Sequence, residues 1–317
     1  RDHASQGRRR ARGMSALEVC LVRHGESVSN AAGVWQGQGD SPLNDKGRAQ
    51  AAALGEALSG GAWDLAVSSD LSRAAETGRA VLPDLELDAA WREIDVGDWE
   101  GLTMDEVFQR YPEQIEALKR RETFAVGGGE SWPEVFARAD GALRDLRARL
   151  PDGGRAIVFT HGGIIAAIMA GLLSARGRWP WPLGRMRNTG RTTLRFDGEG
   201  IALLGHNDDS HVPHEHRRKY VPRRDQSVLR LLVGDNPEPP DEDPALLDFN
   251  SAIKVARVRG AGEVMSVSGT GAEVAALVQG AVGASVSDFR FVDPPEGSAT
   301  ELLVSPDHTM LLDYALA

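Results

Sequence analysis

Apolar positions in this chain come in short runs separated by stretches with helical spacing. Leu17 to Val22 reads as a buried strand. Asp64 to Ser69 reads as a second short strand. Ala156 to Thr160 reads as a third, continuous enough to be covered on both faces. Between them Ala51, Leu54 and Leu58 share one face of a helix opened by Asn44 as N-cap. A helix over Leu71 to Leu82 is expected to be capped by Ser69 or Asp70. Met104 to Tyr111 forms another, ended near Pro112. Ser131 and Glu134 have capping-box spacing, and the helix they open buries Val135, Ala139, Ala142, Leu146 and Leu150. Ile164 to Leu173 is an apolar helix that starts directly after the third strand. Thr192 to Phe196 and Ile201 to His206 read as a hairpin around Asp197-Gly198-Glu199-Gly200.

The last third is patterned more weakly. Strands are expected at Val228 to Val233, Ala252 to Val258, Glu263 to Val267, Val286 to Val292 and Leu302 to Val304, with a helix at Ala272 to Val282. An acidic, proline-rich stretch runs from Asn236 to Pro244. The pattern predicts an α/β protein with a three-layer, mostly parallel sheet, helices on both faces, and a small C-terminal α/β domain. The expected divisions are a disordered basic tail over 1–13, a main domain over 14–212, a linker over 213–226 and the C-terminal domain over 227–317.

Composition narrows the function. No apolar run approaches the ~20 residues of a membrane-spanning helix. The start has no apolar secretory core. With 46 acidic and 36 basic residues the net charge is −10, which argues against a nucleic-acid or anionic-membrane partner despite Arg8, Arg9, Arg10 and Arg12. Cys20 is the single cysteine, so no disulfide forms within the chain, and a reducing cytoplasm is the expected compartment. The sequence leaves the oligomeric state open, a homodimer being one option.

The candidate chemistry gathers at strand ends, where open α/β sheets place their sites. Arg23-His24-Gly25 follows the first strand. A neutral imidazole there can attack phosphorus, which makes His24 the candidate nucleophile. An adjacent guanidinium can hold phosphate oxygens through its fork of donors. Gly25 lets the backbone approach an anion or take a positive φ. Arg73 occupies the equivalent place after the second strand, at a helix N-terminus that favours an anion. His161-Gly162-Gly163 follows the third strand. A glycine-punctuated loop, Gly33 to Leu43, is placed to fold over a pocket mouth. Trp91 to Gly101 is an acidic loop bracketed by tryptophans, and Gly127-Gly128-Gly129 reads as a hinge. Lys119, Arg120 and Arg121 read as a solvated helix face. Trp179-Pro180-Trp181-Pro182 serves equally as a pocket wall or as ordinary loop packing. The histidines at 206, 211, 214 and 216 show no diagnostic metal spacing.

Five pieces in order resemble the histidine phosphatase superfamily, the phosphoglycerate-mutase-like fold. They are Arg23-His24-Gly25-Glu26-Ser27 with Asn30, Gln36-Gly37 with Asp40-Ser41-Pro42-Leu43, Ser69 to Ala74, Arg92-Glu93 through Trp99-Glu100-Gly101, and Thr160-His161-Gly162-Gly163. The resemblance runs from about Leu17 to Val212. It implies His24 as nucleophile, with Arg23, Arg73 and His161 forming the phosphate pocket. Asn30, Gln36, Gly25 and Gly162 would add substrate contacts. Glu93 would be the proton donor, preferred over Asp95, Asp98 and Glu100. It implies no metal and no cofactor, since two arginines and a histidine can neutralise the transferred group. The expected substrate is a small phosphoester. The short interval from Glu93 to His161 resembles the phosphatase branch. Gly162 to Ile165 with Met186-Arg187-Asn188 more loosely resembles glucosyl-3-phosphoglycerate phosphatases. A phosphoglycerate mutase and a non-catalytic phosphate-binding module are the alternatives.

Overall fold

A computed structural model describes residues 15–120, 122–177, 182–213, 226–234, 264–282, 289–305 and 309–316. The central strands are β1 (Leu17–Arg23), β2 (Leu65–Ser68), β3 (Glu86–Leu87) and β4 (Arg155–Thr160). They pair in parallel in the order β3-β2-β4-β1. The alternation of side chains along a strand sorts them into two layers. Val19 and Leu21 of β1 pack on one face, in the cluster that contains α6 (Trp132–Arg149) and α7 (Gly162–Leu172). Cys20 and Val22 pack on the other with Leu54 of α2 (Asp45–Ala57). That second face also carries α3 (Ser72–Val81), packed on α2. In the chain, α1 (Val28–Ala32) precedes α2, and α4 (Met104–Arg110) and α5 (Pro112–Lys119) lie between β3 and α6.

Among the described residues α7 is the most apolar helix. Ile164, Ile165, Ala167, Ile168, Met169 and Ala170 are all buried. At roughly 1.5–3 kcal/mol for each large aliphatic side chain taken out of water, this helix is a principal support of the sheet. It starts one residue after His161, so its packing fixes the position of that ring.

The sheet is mixed, which corrects the expectation of a mostly parallel one. β5 (Arg191–Asp197) and β6 (Gly200–Asp208) form the expected hairpin, and β5 lies antiparallel to β1. Only two residues, Gly198 and Glu199, separate them, whereas a parallel return needs a crossover of a dozen or more. Beyond β6 the sheet continues through β11 (Thr309–Leu316), β10 (Ala299–Val304), β7 (Ser227–Val233) and β8 (Val264–Gly269). β9 (Phe289–Phe291) pairs with β6, and α8 (Gly271–Val282) packs on this end of the sheet. One apolar cluster runs from Val19 and Leu21 to Leu229, Leu302, Leu311 and Tyr314. The C-terminal strands therefore share a core with the first half of the chain.

Local expectations fare unevenly. Asn44 caps α2 through a bond from Gly47 N–H at 2.8 Å, and the Ser131–Glu134 capping box is present. α3 corrects its expected cap. Its N-cap is Leu71, which has no side-chain bond; Asp40 Oδ1 instead accepts from Ser72 N–H at 3.0 Å across the fold. Asp70 is engaged with Arg92, and Ser69 Oγ meets His161 and accepts only from Leu71 N–H, ahead of the first helical residue. Ala252 to Val258, the tail over 1–13, the stretch Asn236 to Pro244 and most of 213–226 lie outside the described residues.

Candidate active site

Pairing register creates the site. β1 and β4 are parallel neighbours with Arg23 opposite Thr160, so the next residues in each chain, His24 and His161, emerge side by side. Their ring centroids are 5.2 Å apart and both are buried. β2 flanks β4 on its other side and delivers Ser69, then Arg73 in the first turn of α3.

His24 Nδ1 lies 2.7 Å from the carbonyl oxygen of Gly25. A carbonyl can only accept, so Nδ1 carries the proton and Nε2 keeps its lone pair. Burial, followed by the charges of Arg23 and Arg73, holds this imidazole well below its ordinary range, so it is neutral. Gly25 N–H donates to Thr77 Oγ1 at 2.9 Å, and Thr77 donates in turn to Arg73 O. A Cβ on Gly25 would lie 2.6 Å from the carbonyl oxygen of Gly47 in α2. This glycine allows α2 to pass close by while its own carbonyl holds His24.

His161 Nε2 lies 2.8 Å from Ser69 Oγ, which itself accepts from Leu71 N–H. With Ser69 donating to Nε2, Nδ1 is the N–H, buried and without a protein partner. Burial comes first in depressing His161, and the charge of Arg73 second. Arg73 is only 1% exposed, and its Nη1 and Nη2 donate to the carbonyls of Gly39 and Gly37, each at 2.8 Å. Its Nε is likewise buried without a partner. Two buried donors beside two histidines suit an anion. Arg23 Nη1 donates to Met186 O at 2.5 Å. Asn30 Oδ1 accepts from Arg23 at 3.4 Å and from Asn188 at 3.1 Å.

The loop from Gly33 to Leu43 is tied across these groups. Ser27 Oγ donates to Gln36 Oε1 at 2.8 Å, and Gln38 Nε2 donates to Glu93 O at 3.2 Å. Glu93 Oε2 accepts from Gly163 N–H at 3.0 Å, and its Oε1 from Ile94 N–H at 2.9 Å. Its carboxyl therefore sits at the N-terminus of α7, immediately past His161 and Gly162. The rival acids are placed differently. Asp98 and Glu100 are exposed, Glu100 accepts from Gly39 N–H, and Asp95 accepts from Gly97 N–H.

Other charged and histidine side chains singled out in the sequence have partners of their own. Lys119 and Arg120 are exposed and pair with Glu116 and Glu122. His206 bonds to Thr192 and His211 to Thr189; His214 and His216 lie outside the described residues. Among the described residues no cluster of His, Cys, Asp or Glu could hold a metal. Two of the glycines at 127–129 serve close packing: a Cβ on Gly127 would lie 2.0 Å from Val96 O and one on Gly129 2.4 Å from Asp95 O, while Gly128 faces open space at a φ of +84°.

Sequence reasoning missed Arg138. From α6 it donates to Arg92 O at 2.6 Å and Glu93 O at 3.3 Å, while pairing with Glu130 at 2.7 Å. One guanidinium thus holds two backbone carbonyls of the acidic loop. A signal was available, since Arg138 lies three residues after Val135 and four before Ala142, on the stripe that α6 buries.

Comparison with known proteins agrees with this geometry. The family model for the histidine phosphatase superfamily (branch 1) matches residues 19–209. A glucosyl-3-phosphoglycerate phosphatase of Mycobacterium tuberculosis is 36% identical over 193 residues, spanning 57% of this chain and 86% of that protein. A metal-independent phosphoserine phosphatase of Arabidopsis thaliana is 37% identical over 209 residues, spanning 62% and 83%. The structure of a mycobacterial glucosyl-3-phosphoglycerate phosphatase in complex with VO3 superimposes with a TM-score of 0.51 at 35% identity, covering 56% of this chain and 92% of the other. Among the described residues no helix is long and apolar enough to cross a membrane. The chain belongs to branch 1 of the histidine phosphatase superfamily.

Proposed function

We propose that this phosphatase hydrolyses a small phosphorylated metabolite through a phosphohistidine at His24, with glucosyl-3-phosphoglycerate or a related sugar phosphate as substrate. The observation that carries the reading is the neutral His24 imidazole. Its Nδ1 proton is committed to Gly25 O, it stands 5.2 Å from His161, and the charges of Arg23 and Arg73 act on it. Nε2 attacks phosphorus and the bond to the ester oxygen breaks. Glu93 gives its proton to the departing alkoxide. Arg23, Arg73 and His161 spread the charge of the transferred group, the main demand of phosphoryl transfer. Water then attacks the phosphohistidine, Glu93 takes the water's proton, and the N–P electron pair returns to Nε2. Asn30, Gln36 and the backbone at Gly25 and Gly162 shape the pocket around the phosphate.

The substrate class follows from the relatives, two of which carry names for small phosphoesters. A cytoplasmic setting suits Cys20, whose thiol burial pushes up to about 11. Hydrolysis of p-nitrophenyl phosphate in EDTA tests the reading. Activity that persists in the chelator and disappears in His24→Ala supports it. Exchange of phosphate between the 2- and 3-positions of phosphoglycerate, faster than phosphate release, would show a mutase instead. A wild type that binds phosphate and turns over nothing would show a binding module.

A further inference from the structure

The segment Met186 to Gly190 faces two ways. On one side it grips the end of β1. Met186 O accepts from Arg23 Nη1, Asn188 Nδ2 donates to His24 O at 3.0 Å, and Thr189 N–H donates to Arg23 O at 3.0 Å. On the other side the Arg187 guanidinium enters a buried acidic nest. Its Nη1 lies 2.7 Å from Asp313 and 3.5 Å from Asp209, and its Nη2 lies 3.9 Å from Glu301. Arg230 holds the other oxygen of Glu301 at 2.7 Å. Asp313 is fully buried.

Asn207 extends the link along the backbone. Its Oδ1 accepts from Arg187 N–H at 2.6 Å, and its Nδ2 donates to Leu312 O and to Asp313 Oδ1 at 3.0 and 2.9 Å. Further up the same segment, Leu311 and Gly184 are joined at 2.7 Å, as are Leu311 and Pro182. Asp313 and Glu301 belong to β11 and β10, about a hundred residues beyond the end of the family match at 209.

We propose that Arg187 and Asp313 are positioning residues. Their ion pair ties the last strand of the chain to the segment whose Met186 carbonyl holds the Arg23 guanidinium, so the C-terminal strands set the geometry of the phosphate pocket. This rests on the phosphatase reading above, in which Arg23 binds the phosphate. A displacement of about 1 Å in such a group costs up to roughly a hundredfold in rate.

The test uses the full chain and inorganic phosphate. Asp313→Ala weakens phosphate binding measured by calorimetry by roughly ten- to fiftyfold, and lowers kcat/KM for p-nitrophenyl phosphate by a similar factor. Asp313→Asn, which keeps an acceptor for Arg187, restores most of both. In an Arg23→Ala background Asp313→Ala costs less than about twofold more, because the two residues act through one contact. Where Asp313→Ala does not fold, Arg187→Lys replaces it; one ammonium cannot reach Asp313 and Glu301 together, and the same loss in phosphate affinity is expected. Equal losses in the two backgrounds, or phosphate affinity unchanged in a folded variant, overturn the proposal. A wild type that neither binds phosphate nor hydrolyses the ester overturns the phosphatase reading and this proposal with it; a wild type that does both, matched by its Asp313→Ala variant, overturns this proposal alone.

Discussion

The carboxyl of Glu93 is seated on the backbone of Gly163, and any side chain at 163 has to push it aside. Gly163 N–H donates to Glu93 Oε2 at 3.0 Å, and a Cβ at 163 would lie 2.2 Å from Glu93 Oε1. The side chain read as the acid thus depends on an absent methyl group at the start of α7.

Gly163→Ala should therefore displace the acid while leaving His24 and its arginines in place. The expected loss in kcat is about 10–100-fold for an alkyl phosphate, part of the full worth of a general acid. It should be much smaller for p-nitrophenyl phosphate, whose leaving group needs little proton assistance. Comparing the two substrates reads this directly. Equal losses for both would place the proton donor elsewhere.

Arg73→Lys tests the buried guanidinium. A lysine cannot reproduce two parallel bonds to Gly37 O and Gly39 O, nor present the Nε donor. The variant should lose at least roughly a hundredfold in kcat/KM. The glycine loop should also become open to proteolysis, because both its carbonyl anchors are gone. Cleavage rates near Gly37, compared with wild type, check the second part.

Arg138→Met should act on the acid loop from a distance. Removing this partly buried partner of Glu130 costs about 2–4 kcal/mol in stability. It also frees the backbone carbonyls of Arg92 and Glu93. Urea unfolding gives the first quantity. A drop in kcat with little change in phosphate affinity gives the second.

Acid should unfold this protein through its histidines. Burial holds His24 and His161 well below their ordinary range and pushes His206 down to about 3. In the unfolded chain each titrates near 6.5. The folded value is the lower one, so the unfolded state binds more protons as the pH drops. Stability is complete above about pH 6.5 and falls below it by roughly 1.4 kcal/mol per pH unit for each histidine. Burial raises the Asp313 carboxyl, which works in the opposite sense over this range and offsets about one histidine's share. Urea melts between pH 7.5 and 5 should show the remaining slope, and His206→Asn should remove about half of it. A flat profile would contradict the neutral assignment.

The local features were legible in the sequence because they rest on short-range patterns. Leu17 to Val22 and Ala156 to Thr160 are apolar runs too short for helices, and Asn44 and the Ser131–Glu134 box are chemically specific caps. Register was not legible. Nothing in residues 17–23 and 155–160 states that Arg23 stands opposite Thr160, which is what makes neighbours of His24 and His161. The capping of α3 by Asp40 failed for the same reason, since that bond joins residues thirty-two positions apart. Arg138 was hidden on a stripe read as apolar. β11 was missed because Asp313 interrupts an otherwise strand-like run, and its partners there, Arg187 and Asn207, come from distant parts of the chain.

The most direct test is to trap the intermediate. Wild-type enzyme is mixed with a phosphorus-labelled ester, quenched during turnover, digested and mapped by mass spectrometry. Label that is stable to base, lost in acid, located on His24 and missing from His24→Ala is the expected result. Turnover with no such label, or label that survives in His24→Ala, would contradict the account.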